Sequence, residues 1–190
     1  QKRIPFETKS CLITFDDGYL DNLENAYPIL EKYQAKATIY VVVDRHDRDW
    51  STYKKAHHNN GELAREAKLN DKQVQFLANS SLVEIGSHTM THANLNKLDD
   101  VECLAELTQS KQQLENLTAK SVTSFAYPFG IYSQRDVAFV KQAGYSNAVT
   151  TEEGIDGLDP DFMKLQRIKI SSKDSMFAVK CRKKKKKRGF

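Results

Sequence analysis

The chain has 190 residues, with 29 basic and 25 acidic side chains, 39% hydrophobic residues and three cysteines. That length suits a single domain with its own core, no apolar run is long enough to cross a bilayer, and cysteines at 11, 103 and 181 make no disulfide framework. The net charge of +4 is local: residues 180–188 hold eight basic groups and no acid, and the remainder carries 21 basic against 25 acidic residues, with no recognition module that argues for nucleic acid.

The sequence therefore reads as one domain over 1–179 and a basic tail over 180–190, a solvated segment or a binder of anionic lipid or polysaccharide. The first apolar run, Cys11-Leu12-Ile13-Thr14-Phe15, predicts a buried strand over 12–15, with Cys11 a buried small hydrophobe. It leads into Thr14-Phe15-Asp16-Asp17-Gly18. Neighbouring side chains at a strand end point in different directions, so one aspartate can bind a metal while the other moves a proton. Asp-Asp-Gly is equally an ordinary strand-to-turn signal.

Residues 22–33 place Leu23, Ala26, Tyr27, Ile29 and Leu30 on roughly one helical face, with Pro28 as a kink point. A second strand follows over 37–43. The polar stretch 44–69 reads as a lid, an insertion shaping a groove, or a disordered loop. A short helix over 71–78, capped by Asn70 or Asp71, precedes a third strand over 82–86. Next comes Ser87-His88-Thr89-Met90-Thr91-His92, whose imidazoles at i and i+4 share a face on a helical turn. Two histidines beside threonines also describe a solvated loop. Combined with a carboxylate from the first motif, they make a three-ligand metal site of Asp17, His88 and His92.

A longer helix over 99–117 carries Val101, Leu104, Leu107, Leu114 and Leu117 at helical spacings. A strand over 122–127 runs into Tyr127-Pro128-Phe129-Gly130, and a helix over 134–143 ends at Gly144, a natural C′ residue. Strands over 147–150 and 165–170 complete the pattern. Alternating strands and helices predict an α/β fold with a parallel sheet and helices outside, its motifs just past the carboxyl ends of strands, where barrel active sites lie. At this length a small distorted barrel fits better than a full eightfold one, with an open doubly wound sheet as the alternative.

The chain resembles the polysaccharide deacetylases of carbohydrate esterase family 4, which share the NodB homology domain. Thr14-Phe15-Asp16-Asp17-Gly18 and His88-Thr89-Met90-Thr91-His92 match two family motifs, and Phe125-Ala126-Tyr127-Pro128-Phe129-Gly130 is similar to the groove motif, usually Arg-x-Pro-Tyr-Gly. The resemblance implies a distorted (β/α)7 barrel. It also implies that Asp16 is the general base, that Asp17, His88 and His92 hold a divalent metal, zinc by default with Co²⁺, Ni²⁺ or Fe²⁺ also suited, and that the Phe129 backbone N–H helps stabilise a tetrahedral oxyanion. Tyr127, Pro128, Phe129 and Gly130 would line the groove, with Trp50, Tyr53 and Tyr132 further candidates for stacking on sugars.

Two departures stand out. Ala126 occupies the place of the groove-motif arginine that orients the base, and Leu165-Gln166-Arg167 stands where the family has Leu-x-His, whose histidine is the general acid. Arg167, arriving from the last strand, is expected to approach Asp16 and replace the missing charge. The acid stays open among His46, the polar-segment histidines His57 and His58, and Asp16 after it has taken a proton. Both variants resemble the branch that includes poly-β-1,6-N-acetylglucosamine deacetylases.

The implied reaction releases acetate and a free amine from N-acetylglucosamine units of a surface or wall polysaccharide. The alternatives are a degenerate domain that keeps metal and glycan binding without turnover, and a hydrolase of a non-carbohydrate amide by the same centre. Family members usually act on wall or extracellular polysaccharide, so an exported enzyme is expected, and a chain starting at Gln1 is expected to be a processed or truncated form.

Overall fold

The computed structural model describes residues 11–46, 66–157, 159–171 and 173–175. The tail over 180–190, and most of the segment read as a lid, lie outside the described residues.

Among the described residues six strands form one sheet, all parallel and in chain order: β1 (Ile13–Phe15), β2 (Ala37–Val41), β3 (Val83–Ser87), β4 (Ser124–Ala126), β5 (Asn147–Glu153) and β6 (Leu165–Arg167). This order decides between the two architectures. A doubly wound sheet reverses its direction of growth at a switch point, whereas a barrel adds every strand on the same side. The sheet is also curled. Six flat strands would set their outer members about 24 Å apart, yet Arg167 of β6 donates to Thr14 Oγ1 of β1 at 3.3 Å. The architecture is thus the distorted (β/α) barrel expected, seen as a half-barrel of six strands.

The α-helices among the described residues are α1 (Tyr27–Tyr33), α2 (Asp71–Asn79), α3 (Asp100–Thr118) and α4 (Gln134–Gln142). The last three start with reciprocal capping boxes, Asn70 with Gln73, Asp99 with Glu102 and Ser133 with Asp136, each satisfying two end N–H groups. Pro28 does not kink a continuous helix. It sits in the first turn of α1, where its missing N–H is harmless, and the preceding Asn22–Ala26 winds as a π-helical turn. Gly144, at φ +87°, follows α4 and its N–H closes on the Lys141 carbonyl.

Strand alternation sorts the core into two layers. Ile39, Val41, Val83, Ile85, Phe125 and Ala148 belong to the cluster shared with Val74, Leu77, Leu107, Leu114, Val137 and Val140 of the helices. Tyr40, Ala126 and Val149, with Leu165 against them, fill the concave side. There Tyr40 reaches across β3 to hydrogen-bond Ser124 at 2.7 Å, and Ser124 donates to Asn147 Oδ1 at 2.6 Å. Gly86 makes the crossing feasible, since a Cβ there would lie 2.5 Å from the Tyr40 ring.

Three expected core positions are corrected. Cys11 is exposed and precedes β1, and Leu12 is 61% exposed, because among the described strands β1 is an edge strand that pairs with β2 alone. Val101 is 79% exposed. The buried stripe of α3 runs instead through Cys103, Leu107, Ser110, Leu114 and Thr118, a face that two small polar residues hide from a hydrophobicity pattern.

Candidate active site

Asp16 and Asp17 leave β1 in different directions because Asp17 adopts a left-handed backbone, φ +73°, followed by Gly18 at +71°. The Asp17 carboxylate points at both imidazoles: its Oδ1 lies 3.3 Å from His88 Nε2 and 3.4 Å from His92 Nε2. Donor atoms of the three residues all fall within 4.8 Å of one another. The histidines do not lie on a helix, as the i, i+4 spacing suggested. They lie on an irregular loop after β3, where left-handed Thr89 and His92, φ +70° and +59°, fold the rings together at a centroid distance of 4.8 Å.

The surroundings fix how the rings present themselves. His88 is buried, and its Nδ1 lies 2.7 Å from the Ala126 carbonyl, which can only accept, so Nδ1 carries a proton and Nε2 is left facing Asp17, where it takes either a second proton or a cation. Burial pulls the His88 pKa down, but the hydrogen bond to Asp17 and the charges of Asp16 and Asp17 outweigh this and raise it. His92 is pushed down to about 3 by burial and by neighbouring His88. Burial also raises the Asp17 carboxyl, but the His88 hydrogen bond and the charges of His88, His92 and Lys68 leave it below its usual value. Two imidazole lone pairs and a carboxylate converging on one point repel unless a proton or a cation lies between them, so the donor set fits a divalent metal.

Asp16 is gripped from the other end of the sheet. Arg167 donates through Nη1 to Asp16 Oδ1 at 2.7 Å and through Nη2 to Oδ2 at 2.8 Å, while its Nε donates to the Thr150 carbonyl at 2.7 Å. The Asp16 side chain remains 30% exposed, so the paired carboxylate still opens to solvent. The fork geometry of guanidinium to carboxylate fixes the carboxylate plane as well as its charge.

The groove residues divide. Phe129, 37% exposed and with an unusual φ of +59°, sits against His92 at 4.4 Å between ring centroids. Tyr127 faces away: it is 1% exposed, stacks on Tyr132 at 4.7 Å and donates its hydroxyl to the Met163 carbonyl. The rim aromatic is therefore Phe129, while Tyr127 packs in the core and Tyr132 covers it. Pro128 is buried, and Gly130, at φ +67°, has no room for a Cβ, which would meet Thr151 Oγ1 at 1.8 Å. His46 is exposed in a turn, and Trp50, Tyr53, His57 and His58 lie outside the described residues.

Sequence reasoning missed the bracing of this site. Glu106 of α3 accepts from the Met90 and Thr91 backbone N–H groups and from the Thr91 hydroxyl. Buried Arg45 donates to the carbonyls of Val43 and Leu69 and to Asp71, joining the two ends of the 46–68 segment, whose last residues pair with Tyr19 and Leu20. Neither Glu106 nor Arg45 stands in a motif; only the fold brings their partners near.

A parallel barrel sheet carrying an Asp-His-His cluster and a clamped carboxylate beyond its strand ends defines a hydrolase type of site. The family model for polysaccharide deacetylase matches residues 3–148. YxkH of Bacillus subtilis, whose name places it among the polysaccharide deacetylases, is 33% identical over 171 residues, covering 90% of this chain and 54% of its own. A poly-β-1,6-N-acetyl-D-glucosamine N-deacetylase of Staphylococcus aureus is 26% identical over 161 residues, covering 80% of this chain and 51% of its own. The chain thus spans about half the length of these relatives. Among solved structures, a polysaccharide deacetylase from Bacillus cereus aligns with TM-score 0.73 at 29% identity, covering 90% of this chain and 50% of that one. A Streptococcus pyogenes deacetylase in complex with acetate aligns with TM-score 0.71 at 28% identity, covering 88% and 67%. The chain belongs to the polysaccharide deacetylase family.

Proposed function

We propose that this domain removes N-acetyl groups from N-acetylglucosamine units of a surface or wall polysaccharide, using a divalent metal, zinc by default, held by Asp17, His88 and His92. The observation that carries this reading is the two-point grip of Arg167 on Asp16 beside the Asp17, His88 and His92 cluster. When bound, a divalent cation supplies Lewis-acid polarisation of the acetamide carbonyl and acidifies the attacking water. Co²⁺, Ni²⁺ or Fe²⁺ suit the same donors.

The chain's own groups divide the remaining work. Asp16 accepts the proton of the water as its oxygen bonds to the acyl carbon, and Arg167 holds that carboxylate in orientation and supplies the charge a groove-motif arginine would. The Phe129 N–H assists in stabilising the oxyanion. Asp16 then returns the proton to the nitrogen as the C–N bond breaks, so that acetate and a free amine leave. Exposed His46 is not needed for this route. A binding domain without turnover has no use for a carboxylate kept open to solvent and gripped at both oxygens, and this favours catalysis over a degenerate domain.

The substrate reading draws on the Staphylococcus aureus relative, named for poly-β-1,6-N-acetyl-D-glucosamine, and on the acetate bound by the Streptococcus pyogenes deacetylase. Such polymers lie outside the cell, so we place the enzyme there too; no helix among the described residues is long and apolar enough to cross a membrane. Acetate release from β-1,6- and β-1,4-linked N-acetylglucosamine oligomers, with Asp16→Asn alongside, tests the proposal. Release dependent on metal and lost in the variant supports it, and the preferred linkage identifies the polymer class. No release from either, with metal bound, argues for a non-carbohydrate amide or for binding alone.

A further inference from the structure

The loop between the two histidines has an unusual support. Met90 N–H and Thr91 N–H both donate to Glu106 Oε2, at 2.9 and 3.0 Å, and the Thr91 hydroxyl donates to Oε1 at 2.8 Å. One carboxylate on α3 thus collects three hydrogen bonds from the residues midway between His88 and His92. Bonds of backbone N–H to an ionised carboxylate are the stronger, charge-assisted kind. They also meet a need, because the loop holds two non-glycine residues, Thr89 and His92, in the left-handed region, a conformation that persists only where its surroundings dictate it.

Glu106 can dictate it because α3 is itself pinned on both sides of it. The Asp99 and Glu102 capping box secures its first turn, and Ser110 accepts from Ser87 at the end of β3. Arg135 of α4 donates to the carbonyls of Leu95 and Leu98, fixing the chain that enters α3. The β3 end, the loop and α3 therefore form one braced unit.

We infer that Glu106 is a positioning residue for the His88 and His92 pair: it fixes the loop that aims both Nε2 atoms at Asp17, and so sets metal affinity without touching the metal. This rests on the metal-centre reading above. The test is titration of the apo protein with Co²⁺, followed by visible absorption, for the wild type, Glu106→Ala, Glu106→Gln and Leu114→Ala, with thermal melts of each. Glu106→Ala should weaken Co²⁺ binding about 10- to 100-fold, the range for outer groups that orient ligands, and alter the absorption spectrum. Glu106→Gln, which keeps an accepting oxygen, should recover part of the affinity. Leu114→Ala, a core truncation further along α3, should melt earlier with unchanged affinity. If Glu106→Ala does not fold, Thr91→Val, which removes only the hydroxyl bond, should weaken binding several-fold. Wild-type affinity and spectrum in Glu106→Ala, or in both Glu106→Gln and Thr91→Val where the alanine variant does not fold, would overturn the inference alone. A wild-type protein that binds no Co²⁺ would remove the metal reading and this inference with it.

Discussion

Arg167 holds both carboxylate oxygens of Asp16, at 2.7 and 2.8 Å, across the gap between the last strand and the first. Ala126, which stands where the resemblance implies a base-orienting arginine, lies on the concave side with Tyr40 and Val149. The guanidinium thus reaches the same carboxylate from a different strand.

Removing that guanidinium should do more than destabilise the sheet. Arg167→Ala is expected to lower kcat by about 10- to 100-fold, less than loss of the base itself, and to change the shape of the pH–rate profile. Arg167→Lys should recover charge but not the two-point grip. An unchanged pH–rate profile in Arg167→Ala would end the orienting role.

The proposed mechanism gives the neighbours Asp16 and Asp17 separable duties. Asp16→Asn should cut turnover by about 10²- to 10⁴-fold, the usual share of general base catalysis, while metal binding stays intact. Asp17→Asn should lose the metal as well as the activity. Chelation should silence the wild type, and added Zn²⁺ or Co²⁺ should restore it; titration calorimetry beside acetate release separates the two residues.

Gly86 lies under the Tyr40 ring, and a Cβ there would come within 2.5 Å of it and 3.2 Å of the Ser124 carbonyl. Gly86→Ala should therefore destabilise by about 1–3 kcal/mol through overpacking, lowering Tm by roughly 2–4 °C per kcal/mol at this chain length. A melt identical to wild type would mean that the ring swings aside freely.

Cysteine chemistry reports on the corrected burial. Cys103 is enclosed beside Asp136, and burial together with that carboxylate pushes its thiol up to about 11. Since the thiolate is the reactive form, at pH 8 the group stays protonated and inert, and it gains reactivity only as pH approaches that value or the fold opens. Iodoacetamide followed by peptide mass mapping should modify exposed Cys11 in the native protein and Cys103 only after denaturation.

The six strands were legible because buried parallel strands are short apolar runs separated by helical periodicity, as at 37–41 and 83–87. The candidate cluster of Asp17, His88 and His92 was legible because its residues sit in contiguous motifs. Other features were hidden for definite reasons. Nothing in a run such as Cys11-Leu12-Ile13 distinguishes an edge strand from a central one, and Val101 obeys the helical spacing yet faces water. Tyr127 lies within a groove motif, but its side chain turns inward. Glu106 is a charged residue on a mostly polar helix, and its partners, 15 and 16 residues earlier, face it only once the loop has folded.

The clasp between β1 and β6 joins side chains 151 residues apart. On the roles proposed above, the three metal ligands and the Glu106 that braces their loop all precede in synthesis the residue that orients the base, which has no such partner until Arg167 leaves the ribosome. The proposed catalytic apparatus therefore lacks its completing piece until the last described strand has been made.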